Sequence, residues 1–169
     1  KIIFIDIKLH DIPNTCVSAL RAIKDLKADY LTIHISSGLK ALKATKKASN
    51  KTKIVGVTTL TSIDSHSLKQ IGYDKKLRKL VYHQAKLARK ANLDAIVCSP
   101  KEIKIVKKIF KREIITPGIR LTGDIKEDQK RVTTPRQAYN NGATSIVIGR
   151  SLTRGNIKKN VQKLINQLK

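Results

Sequence analysis

An aspartate, a lysine and a second aspartate open the chain in a spacing able to do chemistry: Asp6, Lys8 and Asp11, within Lys1-Ile-Ile-Phe-Ile-Asp6-Ile-Lys8-Leu-His-Asp11-Ile12-Pro13-Asn14-Thr15. Residues 1–8 read as a buried strand, a run of mostly β-branched apolar residues whose internal charges lie at its far end. Side chains alternate along a strand, so Phe4, Asp6 and Lys8 share one face while Ile3, Ile5 and Ile7 take the other. A carboxylate and an ammonium therefore project together from one strand end. Asp11 follows in the turn, and Pro13 fixes the first turn of a helix. A cation held between carboxylates keeps its charge and suits the stabilisation of negative charge that develops in a transition state. A bare Asp-x-Lys is equally an ordinary strand-end ion pair, so the rest of the chain has to decide.

The far end of the chain offers a place for phosphate. Gly149-Arg150 follows the apolar run Ile146-Val147-Ile148, and Thr116-Pro117-Gly118-Ile119-Arg120 breaks another strand-like segment. Glycine lets a backbone amide approach an anion closely, and the planar arginine fork can grip two oxygens. Gln129 lies on the polar, aperiodic stretch 121–132, which reads as a long functional loop. Barrel enzymes often bind phosphate with the loops after their last strands. Gly149-Arg150 alone would be an ordinary arginine after a strand; strand position, loop and the Pro117-Gly118 break together favour phosphate.

The elements that must position these residues alternate strand and helix. After the first strand, an amphipathic helix is predicted over 13–27, with Cys16, Leu20, Ile23 and Leu26 on its inner side. A strand over 30–35 follows; its His34 is expected to be a hydrogen-bonded core residue rather than a ligand. A lysine-rich helix over 38–49 leads to a strand over 53–60, with Thr61 and Ser62 at its end. A short helix over 64–71 is capped by Asp64 and closed by Gly72. Asp74 opens a longer helix to about residue 91, with Leu77, Leu80, Val81 and Ala88 inward. Then come a strand over 94–98 ending in Ser99-Pro100, a helix over 101–110 and a strand over 113–116. A helix opened by Thr134-Pro135, a strand over 145–148 and a final helix over 156–168 complete the chain. Six strands alternating with helices through short joins predict a parallel sheet with helices outside, in one domain spanning 1–169.

Composition narrows the class. No apolar run is long enough to span a bilayer, and two cysteines are too few for a disulfide framework, so a soluble protein of the reducing cytoplasm is expected. The net charge of +24 invites a nucleic-acid reading. Against it, the lysines are scattered over many helices, and aromatic residues make up 4%, leaving few stacking platforms. Solvated helix faces account for the charge better than a nucleic-acid groove, so no specific nucleic-acid partner is expected.

The string Asp6-x-Lys8-x-x-Asp11-Ile12-Pro13-Asn14-Thr15 resembles the active-site signature of the orotidine 5'-phosphate decarboxylases. The order and spacing of Thr116–Arg120, Asp128-Gln129-Lys130-Arg131, Thr134-Pro135 and Ile146–Arg150 are similar to that family's phosphate-side segments. Leu60-Thr61-Ser62 and Cys98-Ser99 stand where the family contacts the pyrimidine. The resemblance implies a (β/α)8 TIM barrel of the ribulose-phosphate-binding type. It implies decarboxylation of orotidine 5'-phosphate to UMP and CO2, with neither metal nor organic cofactor. Lys8 would be the cation and proton donor, with Asp6 against the substrate carboxylate and Asp11 supplied across a two-fold. Ile12, Thr15, Thr61, Ser99 and Arg120 would bind substrate, and Gln129, Gly149 and Arg150 its phosphate. The partners implied are the nucleotide substrate and a second copy of the chain, a homodimer.

By the same resemblance, the family begins with two further strand–helix units, carrying an aspartate for the ribose and the first lysine of its charge array. The chain contains no methionine, and 169 residues fall short of the ~250 of a typical barrel. A barrel lacking its first two units, with little activity alone, is therefore expected. Three other readings stay open at this point: a magnesium-dependent sugar-phosphate lyase or synthase of the same barrel superfamily, a non-enzymatic remnant, and a basic nucleic-acid-binding protein. Ile12-Pro13-Asn14-Thr15 and the 128–131 segment fit the decarboxylase better than the first of these.

Overall fold

A computed structural model describes residues 1–122 and 133–168. Six strands lie side by side in sequence order, all parallel: β1 (Phe4–Leu9), β2 (Tyr30–His34), β3 (Lys53–Val57), β4 (Ala95–Val97), β5 (Glu113–Thr116) and β6 (Ser145–Ile146). Between and after them run α1 (Pro13–Ala22), α2 (Gly38–Ala48), α3 (Ser65–Gln70), α4 (Leu77–Lys90), α5 (Ile103–Ile109), α6 (Pro135–Asn141), α7 (Arg150–Thr153) and α8 (Ile157–Leu168). This is the arc of a (β/α) barrel, and the six predicted strands are all present. Strand order equal to chain order follows from successive parallel crossovers, in which the helical segments between strands return the chain to the start of the next strand.

Local sequence sets the helix ends. Pro13 occupies the first turn of α1, where its missing N–H is no loss. Asp64 caps α3 by accepting the Ser67 N–H. Thr134 and Gln137 form a reciprocal capping box on α6, and Gly142 closes that helix at φ 108°. Other boundaries depart from the sequence pattern. Asp74 does not start the long helix; α4 begins at Leu77 after Lys76, whose side chain makes no cap. The helix predicted over 13–27 ends at Ala22 and gives way to a 3-10 turn over Lys24–Leu26, leaving Leu26 57% exposed. Several strands are shorter than their apolar runs because the chain turns as soon as it leaves the ladder.

The main core lies between sheet and helices. Leu31, Ile33, Ile54, Ile96 and Ile114 from the strands meet Leu20, Leu42, Val81, Ala85, Ala88, Leu93, Ile103 and Val106. The opposite face of the sheet is the barrel interior, where Val55, Ala95 and Ile115 pack together beside Tyr30 and Val97. At the N-terminal ends of the strands the interior is polar. Tyr30 Oη donates to Glu113 Oε2 at 2.9 Å, and the Lys53 ammonium donates to Glu113 Oε1 and to Tyr30 Oη. Glu113 chiefly, then the Tyr30 hydroxyl, raises the pKa of Lys53 well above its ordinary value. The Phe4 ring stacks on Tyr30 with centroids 5.4 Å apart.

One expectation fails clearly. The first strand is not buried: Ile3, Phe4 and Ile7 are 44%, 37% and 53% exposed. Among the described residues β1 pairs with β2 alone, so it is an edge, and one flank has no neighbour to cover it. The apolar positions Ile157, Val161, Ile165 and Leu168 of α8 are likewise exposed. No helix among the described residues is long and apolar enough to cross a membrane.

Gly56 in the middle of β3 is required by close approach. A Cβ there would sit 2.7 Å from Leu93 Cδ1 and about 3.0 Å from Ile35 Cγ1, inside van der Waals contact. Gly56→Ala is expected to destabilise the fold by roughly 1–3 kcal/mol, read from urea midpoints. Combining it with Leu93→Ala should cost less than the sum of the two changes, because the added methyl then fills vacated space.

Candidate active site

Asp6 and Lys8 meet as their alternation on one strand face requires: Lys8 Nζ lies 2.7 Å from Asp6 Oδ2. The backbone that presents them is irregular. Ile5 is paired with Leu31 and Leu9 with Ile33, so four steps of β1 run against two of β2. The surplus is taken up by a bulge in which Lys8 adopts φ 52°. That left-handed conformation costs a side-chain-bearing residue on the order of 1–2 kcal/mol. It persists because the neighbouring strand holds it: Lys8 N–H donates to Thr32 Oγ1 at 2.9 Å, and that hydroxyl lies 3.0 Å from Asp6 Oδ1.

A cleft of about 250 Å³ opens beside the pair. Its walls are Phe4, Asp6 and Lys8, the loop 57–61 after β3, residues 97–99 after β4, then Pro117 and Val147. Four predicted site residues, Asp6, Lys8, Thr61 and Ser99, are thus gathered at the C-terminal rim of the sheet. The loops are fixed from behind. Gln84 of α4, 8% exposed, accepts from both the Thr59 N–H and the Thr59 hydroxyl. Thr58 Oγ1 donates to Val97 O at 2.8 Å, and Ser99, 1% exposed, accepts the Lys101 N–H.

The other predicted residues among those described do not line that cleft. Asp11 and Ile12 are exposed and line a second cleft of about 690 Å³ with His10, Pro13 and the start of α2. Asp11 Oδ1 there accepts the Ile12 N–H at 2.7 Å. Thr15 is exposed on the first turn of α1. Gly149 and Arg150 are on the same rim as Lys8, at the start of α7, and a Cβ added at Gly149 would meet open space. Arg120 is half-buried after β5, its guanidinium donating to Ile119 O. Gln129 lies outside the described residues.

His34, at the end of β2, is half-buried and meets the His10 ring at a tilt of 47°, centroids 5.2 Å apart, rather than sitting deep in the core. Burial lowers its pKa below the usual 6.5, and His10 and Lys8 lower it further, against a smaller opposing effect of Asp6. Sequence reasoning missed Thr32, Thr59 and Gln84. Thr32 was visible only as one polar residue inside an apolar strand, and Gln84 as one polar residue on an inner helix face.

The chain matches the family described as Orotidine 5'-phosphate decarboxylase / HUMPS over residues 1–164. Its curated relatives include the orotidine 5'-phosphate decarboxylase of Prochlorococcus marinus (strain MIT 9215), 45% identical over 91% of this chain and 69% of the relative. That of Wolbachia sp. subsp. Brugia malayi is 45% identical over 96% of this chain and 73% of the relative. Among solved structures, orotidine 5'-phosphate decarboxylase from Lactobacillus acidophilus superposes with TM-score 0.84 at 28% identity, covering 99% of this chain and 75% of that one.

The depressed pKa of His34 carries a pH consequence. The folded state resists protonating this ring while the unfolded chain accepts the proton near pH 6.5. Its contribution to stability is therefore present above about pH 6.5 and is lost as pH falls towards the folded value. His34→Gln should flatten the stability profile between about pH 7 and 5, measured by denaturant unfolding at each pH. An unchanged slope would show that His34 does not carry it.

Proposed function

The chain belongs to the orotidine 5'-phosphate decarboxylase / HUMPS family, and from that premise we propose that it converts orotidine 5'-phosphate to UMP and CO2. The observation that carries this reading is the Lys8–Asp6 pair at 2.7 Å, facing a cleft shared with Thr61 and Ser99. Breaking the bond from C6 to the carboxylate leaves an electron pair on C6 in a vinyl-type orbital with no conjugated sink. The Lys8 ammonium, fixed beside that carbon, stabilises the pair as it forms and then donates the proton that completes UMP. Lys8 recovers its proton from solvent. Asp6 faces the departing carboxylate and keeps the ammonium oriented.

Thr61 and Ser99 contact the pyrimidine, and Arg120 contributes to substrate binding. The phosphate is held by Gly149 and Arg150, with Gln129 added from the 121–132 segment. Binding energy from that remote phosphate is available to position the reacting carbon against Lys8. Asp11, Ile12 and Thr15 serve the site of a second copy in an isologous homodimer; their exposure, away from the Lys8 cleft, supports that role. Residues 1–169 form a single partial barrel domain in the cytoplasm, in keeping with two cysteines, too few for a disulfide framework.

UMP should bind at least roughly a hundredfold tighter than uridine, the worth of a charge-assisted phosphate grip. Arg150→Ala should erase most of that difference by calorimetry, and Lys104→Ala, on the outer face of α5, none of it. Equal affinity for UMP and uridine would overturn the phosphate assignment. For catalysis, assayed in a complete eight-stranded barrel, Lys8→Ala should lower CO2 release by at least about a hundredfold, and a magnesium chelator should leave the rate of the barrel with Lys8 intact unchanged. The dimer predicts complementation: mixing inactive Lys8→Ala and Asp11→Ala chains should restore part of the activity, since one site of each mixed dimer is then intact.

A further inference from the structure

We propose that Thr32 is a positioning residue of this site, whose hydroxyl sets both the backbone of Lys8 and the carboxylate of Asp6. The role rests on the decarboxylase reading above, in which those two groups meet the substrate. Thr32 is the third residue of β2 and is completely buried. A hydroxyl has one hydrogen and two lone pairs. One lone pair accepts the Lys8 N–H at 2.9 Å. The hydrogen goes to Asp6 Oδ1 at 3.0 Å in preference to Ile5 O at 3.5 Å, because the nearer acceptor is charged. Asp6 Oδ2 meanwhile receives Lys8 Nζ at 2.7 Å.

The three groups close a small loop: backbone of Lys8 to Thr32, Thr32 to Asp6, Asp6 to the ammonium of Lys8. Each contact fixes one freedom that catalysis needs fixed. The first holds Lys8 in its left-handed bulge, which turns its amide away from the regular ladder and would otherwise leave it without an acceptor in a partly buried place. The second stops the carboxylate rotating about its own axis, so that Oδ2 stays on the ammonium. A β-branched residue suits the task, since its side-chain torsion is restricted before any partner arrives. Valine would keep the shape and lose both contacts of the hydroxyl; serine would keep the hydroxyl on a freer rotor.

The test compares Thr32→Val, Thr32→Ala and Thr32→Ser in the full chain. NMR measures amide exchange at Lys8, with Leu31 and Ile33 as reporters of an intact β2. Calorimetry compares UMP with a pyrimidine 5'-ribonucleotide carrying an anionic oxygen at C6, which probes the Lys8 side of the site separately from the phosphate. Val and Ala should raise Lys8 exchange by at least roughly tenfold and cut the preference for the C6 anion by about tenfold, with Leu31 and Ile33 still protected. Ser should restore both to within about threefold. Unchanged Lys8 exchange and unchanged preference in Val and Ala would overturn the proposal. So would an equal loss of both ligands that Ser does not rescue, which marks a residue that merely packs. Wild-type protein that binds neither nucleotide would count against the decarboxylase reading, and Lys8 exchange would then decide alone whether Thr32 holds the bulge.

Discussion

Everything in this molecule depends on the parallel hydrogen-bond ladder. Because all six strands run the same way, every strand delivers its last residue to one rim and every helix returns on the outer face. Side chains distant in sequence, such as Asp6, Thr61, Ser99 and Val147, become neighbours without any contact designed between them. The ladder also explains the division of polarity. The middle of the interior is filled by Val55, Ala95 and Ile115, the N-terminal end is tied by Tyr30, Lys53 and Glu113, and the C-terminal end opens as the cleft beside Lys8.

Much of that was legible in the chain. Alternation alone put Asp6 and Lys8 on one face, and apolar runs bounded by Pro, Gly and capping residues marked six strands in the right order. Asp64 and Thr134 marked helix starts correctly because capping is a local bargain between a side chain and backbone three residues on, and Gly72 marked an end because glycine takes the left-handed turn, here φ 83°, without steric cost. What escaped is what depends on partners far away. The register break that turns Lys8 into a left-handed residue is set by β2, 24 residues later, and nothing in Ile7-Lys8-Leu9 announces it. Gln84 sits on an inward helix face where an apolar residue would be expected, and its purpose is visible only with Thr59 beside it. The exposure of β1 was misjudged for the opposite reason: an apolar strand implies a cover, but does not say that the cover is present.

Charge is used in two different ways. Ion pairs with a structural task bridge elements: Lys46 reaches Asp94 at 2.6 Å while Asp94 also takes the Ile54 N–H, tying α2 to β3 and the start of β4. At the rim the same chemistry is half-exposed, with Lys8 and Asp6 side chains 38% and 50% accessible, so that an anionic ligand could enter and complete the set. His34 has its pKa depressed chiefly by burial, and His10 and Lys8 beside it lower it further. Lysines such as Lys43, Lys104 and Lys158 lie exposed on helix faces, where water and salt attenuate them within about 10 Å.

Among the described residues β1 has no strand on its outer flank, and that bears on how this stretch of chain handles in solution. Ile2, Ile3, Phe4 and Ile7 present an apolar, unpaired strand border, the kind of border that recruits the same border of another copy. Set against that attraction is a net charge of +24, which makes copies repel at a distance. The two act over different ranges, since apolar contact needs touching surfaces while repulsion extends over the Debye length, about 30 Å at 0.01 M salt and about 3 Å at 1 M. Ionic strength therefore works as a colloidal valve: dilute buffer keeps the borders apart, and concentrated salt lets them meet.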